Sequence, residues 1–178
     1  MKSNQKGFTL LEVLISITIM ALASGAAGSA IFQIMRNTER NSDHMTVVRQ
    51  VQNAGYWISR DVQMAQSANV TDSLTPPDFL VLSWTTWNGT SGNPVYYSAR
   101  YFFENTNNGT GTLKRSYRSS DGVNQTTLIA QYIYYNPSDI VNTSNASYQS
   151  SVLIIKITSL VEQTIESKEY RIKRRPSL

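Results

Sequence analysis

Between Val13 and Met35 no residue carries a charge, and one acidic residue, Glu12, stands at the start of this stretch. The run is about 23 residues, or about 34 Å of helix, enough to cross a bilayer. A carboxylate there is costly, about 2.5–3.5 kcal/mol at a bilayer centre even on the milder insertion scale. A segment that only anchors gains nothing from Glu12, whereas one that must later pair with something inside the membrane does. Lys2 and Lys6 precede the run. The positive-inside rule therefore predicts a single pass with a cytoplasmic N-terminus and an extracytoplasmic C-terminal part.

The competing reading is a secretory signal peptide cut after Ala23. A basic start, an apolar stretch and Ala21-Leu22-Ala23 as cleavage site are all present. Against it, Glu12 lies inside the would-be apolar core, and the pattern runs on through Ala26, Ala27, Ala30, Ile31, Phe32, Ile34 and Met35. Ala21, Gly25 and Ser29 recur every four positions. That spacing places them on one helix face, where small residues let helices approach closely in lipid. Gly25 and Gly28 also lower helix propensity and favour a bend or local melting.

After Met35 the chain turns polar without a break signal. No proline occurs before Pro76, and Gly55 is the only glycine between Gly28 and Gly89. Val47, Val51, Ala54, Ile58, Val62 and Ala65 recur at spacings of three and four, an amphipathic stripe that predicts helix. The pattern predicts one helix from Phe8 to about Ala68, roughly 90 Å long at 1.5 Å per residue. Residues 8–35 form its membrane or assembly half and 36–68 its amphipathic half. Trp57 reads as packing for the domain that follows. His44, the only histidine, reads as a solvated helix residue.

From Asn69 the pattern changes. Turn formers cluster at Thr75-Pro76-Pro77, Asn88-Gly89, Asn105 to Gly111, Asp121-Gly122, Asn136-Pro137 and Asn142 to Ser147. Between them lie β-branched and aromatic runs: Phe79–Trp87, Val95–Phe103, Thr112–Tyr117, Thr126–Tyr135, Val152–Leu160 and Thr164–Lys173. Short strands with no helix between them imply an antiparallel sheet over residues 69–178. Asn108-Gly109 marks a hairpin, with a loop expected to exceed two residues. The fold class is thus α+β, one long N-terminal helix packed on an antiparallel sheet.

The chain contains no cysteine, which excludes disulfide frameworks, thiolate metal sites and cysteine nucleophiles. No histidine-based dyad, phosphate loop or metal-ligand spacing occurs, so no enzyme activity, cofactor or metal is expected. Asp72, Asp121 and Asp139 fall in predicted loops, where turn formation is weighed against a calcium site.

Gly7-Phe8-Thr9-Leu10-Leu11-Glu12 resembles the processing motif of type IV prepilins and type II secretion pseudopilins. In that class a short basic leader ends in glycine. Phenylalanine follows, and an acidic residue stands at the fifth mature position. The resemblance implies a leader of residues 1–7 and cleavage between Gly7 and Phe8 by a membrane-embedded prepilin peptidase. It also implies N-methylation of Phe8 and release of the hydrophobic span from the inner membrane into a filament. The implied partners are other pilin or pseudopilin subunits, the peptidase and an inner-membrane assembly platform. Within the class the chain is most similar to minor J-type pseudopilins and related minor pilins. The residues that carry this are Arg60-Asp61 through Ala65, Tyr101-Phe102, Leu113-Lys114-Arg115, Leu128-Ile129-Ala130 with Ile133, and Tyr170 to Arg175. The missing cysteine pair weighs against a major pilin, and Glu12 against a K-type tip subunit.

In a filament, a neighbour's Phe8 amine would pair with Glu12 and turn a penalty into a register device. An alternative makes the C-terminal domain a displayed binding module for DNA or a surface. Lys168 to Arg175 would then contact phosphates, and Tyr97, Tyr101 and Tyr117 would stack on bases.

Overall fold

The structure is a computed structural model. It describes residues 7, 9–70, 74–87, 92–107, 109–139, 141–149 and 152–173. Of the positions singled out above, Lys2, Lys6, Phe8, Asp72, Asn88, Gly89, Asn108, Arg174 and Arg175 lie outside them.

One helix, α1, runs from Leu10 to Met64. Among the described residues eight strands follow: β1 Ser67–Val70, β2 Asp78–Trp87, β3 Pro94–Asn107, β4 Thr110–Ser119, β5 Asn124–Tyr134, β6 Asn145–Gln149, β7 Val152–Val161 and β8 Thr164–Lys173. Two compact units divide the chain, one reaching Ser42 and the other beginning at Asp43.

In the first unit α1 is uninterrupted, including Gly25 and Gly28, so the local melting allowed by the sequence does not occur. Alanine, leucine and isoleucine neighbours have enough helix propensity to carry both glycines. The hydroxyls of Ser24 and Ser29 are satisfied within the helix by Met20 O and Ala26 O, each at 2.8 Å. The large apolar side chains from Leu10 to Met35 are exposed all round.

In the second unit α1 buries one stripe, Val47, Val51, Ala54, Ile58 and Val62, with Gly55 and Asp61. Of these, Val51, Ala54, Ile58 and Val62 share one core with Phe79, Leu80 and Leu82 of β2, Ala99, Tyr101 and Phe103 of β3, Leu113 of β4 and Ile129 and Ile133 of β5. Leu153, Ile155 and Ile157 of β7 complete the core. All strand pairings are antiparallel. The order is β1-β2-β3-β4-β5-β7-β6, with β8 on the other edge of β7. Among the described residues the β5–β7 ladder has the single pair Ile133↔Ser159, with Ser159 Oγ donating to Tyr132 O at 2.9 Å. Two amides of α1 serve the edge thus left open: Gln50 Oε1 accepts from Gln131 N at 2.8 Å, and Asn53 Nδ2 donates to Ile129 O at 2.5 Å.

Three sequence expectations need correction. The helix ends at Met64, and Ala68 belongs to a strand. Ser67-Ala68-Asn69-Val70 pairs with Ser83 to Leu80, and that ladder outweighs continuation of a helix with no stop signal. β6 begins at Asn145, inside the stretch read as a turn from Asn142 to Ser147; pairing with β7 overrides the weak β preference of Asn and Ser. The β3–β4 connection is a two-residue turn, since Asn107 pairs with Thr110. Gly109 has φ +81°, and a Cβ there would press on the Tyr134 ring, so glycine suits both the turn and the packing.

Candidate functional site

Two places on α1 hold a carboxylate in an apolar setting, and they are built differently. At the N-terminus, Thr9 caps the helix. Its carbonyl accepts from Glu12 N at 3.1 Å and Val13 N at 3.3 Å, and its Oγ1 accepts from Glu12 N at 3.3 Å. Thr9-Leu10-Leu11-Glu12 is the spacing of a capping box, a signal the sequence reading did not use. Glu12 also lies in the first turn, where the helix dipole favours negative charge. Among the described residues no basic side chain pairs with it. Gly7, like Ala21, Gly25 and Ser29, is exposed.

The second carboxylate, Asp61, is completely buried near the other end of the helix. Arg115 of β4, 6 % exposed, grips it in a fork: Nε to Oδ2 at 2.5 Å and Nη2 to Oδ1 at 3.1 Å. Tyr101 of β3, fully buried, donates its hydroxyl to Oδ2 at 2.6 Å. Arg115 also lies over Tyr117 at 4.6 Å and near Trp57 at 5.5 Å, while Arg60 covers Trp57 at 4.3 Å. Cross-strand register explains the meeting, because Tyr101 faces Arg115 directly. Burial pushes the Tyr101 phenol above its ordinary value, and the Asp61 charge and hydrogen bond add to this. Burial pulls the Arg115 guanidinium down, but the bond and charge of Asp61 outweigh it and leave it raised. A paired, hydrogen-bonded buried carboxylate with no free face holds a helix to a sheet; it does not offer a reacting group.

The first of these places is matched by a known family. A profile described as the prokaryotic N-terminal methylation motif aligns with residues 2–28. The chain carries the prepilin-type methylation motif. Neither a curated protein nor a solved structure matches the chain. The methylation motif supports a pilin or pseudopilin processed by a prepilin peptidase. Together with the exposed apolar helix it supports membrane anchoring before assembly with other pilin subunits. The helix on an antiparallel sheet is the pilin-like α+β plan.

The other sequence candidates separate cleanly. Asp61, Tyr101 and Arg115, which fall in three separate resemblance segments, come together in one ion centre. Trp57 is half-buried against the core, as expected, and His44 is exposed. Asp139 serves a turn. It accepts from Val141 N, Asn142 N, Asn142 Nδ2 and Tyr134 Oη at 3.0–3.2 Å. The Asn142 backbone N–H, chief among these, holds its carboxyl below the usual range. Asp121 is exposed and bonded to Ser119. Among the described residues no three His, Asp or Glu side chains cluster as a metal site would require.

The tyrosines proposed to stack on bases are not free to do so. Tyr101 is buried, and Tyr97 stacks between Trp84 at 5.8 Å and Tyr117 at 5.9 Å on the core face. On β8, Arg171 is paired with Glu169 at 2.7 Å, and the basic residues alternate with Glu166 and Glu169.

Proposed function

We propose that this chain is a minor structural subunit of a type IV pilus or type II secretion pseudopilus. Within that class the reading is of a J-type pseudopilin or related minor pilin. Prepilin peptidase would cut between Gly7 and Phe8 and methylate the Phe8 amine. The chain would wait in the inner membrane with its N-terminus cytoplasmic, then join the filament through α1 with the help of the assembly platform.

The observation that carries this reading is the methylation motif at residues 2–28 leading into a helix whose first half buries nothing. An apolar helix exposed on every face needs lipid or other helices around it. Glu12 gives that need a direction, because it has no partner in its own chain among the described residues and a neighbour's α-amine would supply one. Ala21, Gly25 and Ser29 would let adjacent helices approach.

The mass of the mature N-terminus tests the reading. A chain beginning at N-methylated Phe8 is expected. A chain beginning at Ser24 restores a secretory signal peptide and removes the filament role.

A further inference from the structure

The sheet face turned away from α1 carries an open cleft of about 620 Å³ across β1 to β4. Its floor is a cross-strand row in register: Ser67 opposite Ser83, Ser83 opposite Ser98, and Ser98 opposite Arg118. At 4.7–4.9 Å between neighbouring strands this row is about 14 Å long. Three successive small hydroxyl side chains lower the surface there. Thr85 and Tyr96, paired with each other, rise beside it. Tyr96 is 60 % exposed. Its backbone is held on both sides by Ser120, whose N donates to Tyr96 O at 2.9 Å and whose Oγ accepts from Tyr96 N at 3.1 Å.

Charge on this face is distributed unevenly. Arg100 is bound by Asp78 at 2.5 Å and Lys114 by Glu104. Arg118, at the end of the serine row, has no carboxylate partner among the described residues. A cleft floored by hydroxyls, with one exposed aromatic face and one unneutralised guanidinium, matches a particular ligand chemistry. Sugar C–H groups are electropositive and suit the negative face of a tyrosine ring. Sugar hydroxyls exchange hydrogen bonds with serine, and a guanidinium binds a carboxylate through two parallel bonds. A nucleic-acid strand needs a track of cations along its phosphates, whereas among the described residues the only basic side chain lining this cleft is Arg118.

We propose that this cleft binds an acidic saccharide, with a ring over Tyr96, hydroxyls along the serine row and a carboxylate on Arg118. The proposal is independent of how the N-terminus is processed. Calorimetric titration of the full-length chain in detergent micelles tests it, with trigalacturonate, maltotriose and an oligothymidylate as probes at equal ionic strength. Saturable trigalacturonate binding is expected, at least about tenfold tighter than maltotriose, since one charge-assisted pair separates them. Arg118→Gln and Tyr96→Ala should each weaken it at least about tenfold on the same grounds, with partial recovery in Arg118→Lys. Arg171→Gln on β8 should leave it unchanged. Absence of saturable trigalacturonate binding overturns the proposal. So do equal binding of maltotriose, tighter binding of the oligothymidylate, and wild-type affinity in Arg118→Gln.

Discussion

Glu12 and Asp61 sit on the same helix in apolar surroundings, yet among the described residues Asp61 is answered by basic and hydroxyl side chains and Glu12 is not. Asp61 meets a forked guanidinium and a phenol and is sealed from water. Glu12 has only its place in the first turn of α1. The physical rule is the same at both: a carboxylate removed from water must be paired or neutralised. What differs is where the partner comes from. A partner three strands away in the same fold makes the carboxylate a structural lock. A partner that must arrive from outside makes it a contact for assembly, which is the role proposed for Glu12.

Separating the two should produce effects of very different size on the folded chain. Arg115→Met removes the forked counter-charge of Asp61 and leaves only the half-exposed Arg60 at 3.6 Å. By the usual cost of a broken buried pair it should destabilise the second unit by about 3–5 kcal/mol in urea unfolding. Replacing Asp61 and Arg115 together with apolar residues should recover much of that loss; no recovery would mean the pair is not the lock described.

A smaller effect belongs to Tyr101. Tyr101→Phe removes one hydrogen bond to a charged group, worth about 1.5–3 kcal/mol. The sign of its pH dependence follows from the raised phenol. The folded state prefers the protonated form. Its contribution is therefore complete below about pH 10, the ordinary phenol value, and fades as pH rises through the higher folded-state value. Thermal midpoints should stay level between about pH 7 and 9 and fall above about pH 10. Tyr117, Tyr135 and Tyr170 are shifted in the same direction, so a shallower fall in Tyr101→Phe isolates the share of this residue. An identical fall in the variant would remove Tyr101 as a contributor.

The smallest expected effect on stability is the sharpest on assembly. Glu12→Leu should leave the unfolding of the second unit within about 0.5 kcal/mol of wild type, as surface substitutions usually do, while abolishing incorporation into filaments. Normal incorporation would show that Glu12 needs no partner.

The sequence made one of these two carboxylates easy to see. Glu12 stands out because nothing charged follows it for two dozen positions, and the motif around it is local. Asp61 does not stand out, since Arg60-Asp61 reads as the polar side of a helix. Its partners lie 40 and 54 residues away, and only strand register shows that Tyr101 and Arg115 face each other. The same distinction runs through the fold. Strands with dense β-branched or aromatic content, such as Thr164–Lys173, were legible to the residue. Ser67–Val70 and Asn145–Gln149 were not, because their conformation is set by the neighbours they pair with. The serine row beneath Tyr96 was invisible for that reason too: each serine is unremarkable until four strands align.

The amides of Gln50 and Asn53 on the open edge of β5 bear on how the subunit would carry load. They are three residues apart on α1 and bond to alternate residues of one strand, while Asp61 ties the same helix to β4 eight residues further on. A pull along the helix would load these attachments in parallel, as shear, and sliding by one residue would break them together. In a filament under tension, the helix and sheet of this unit would yield as a single body.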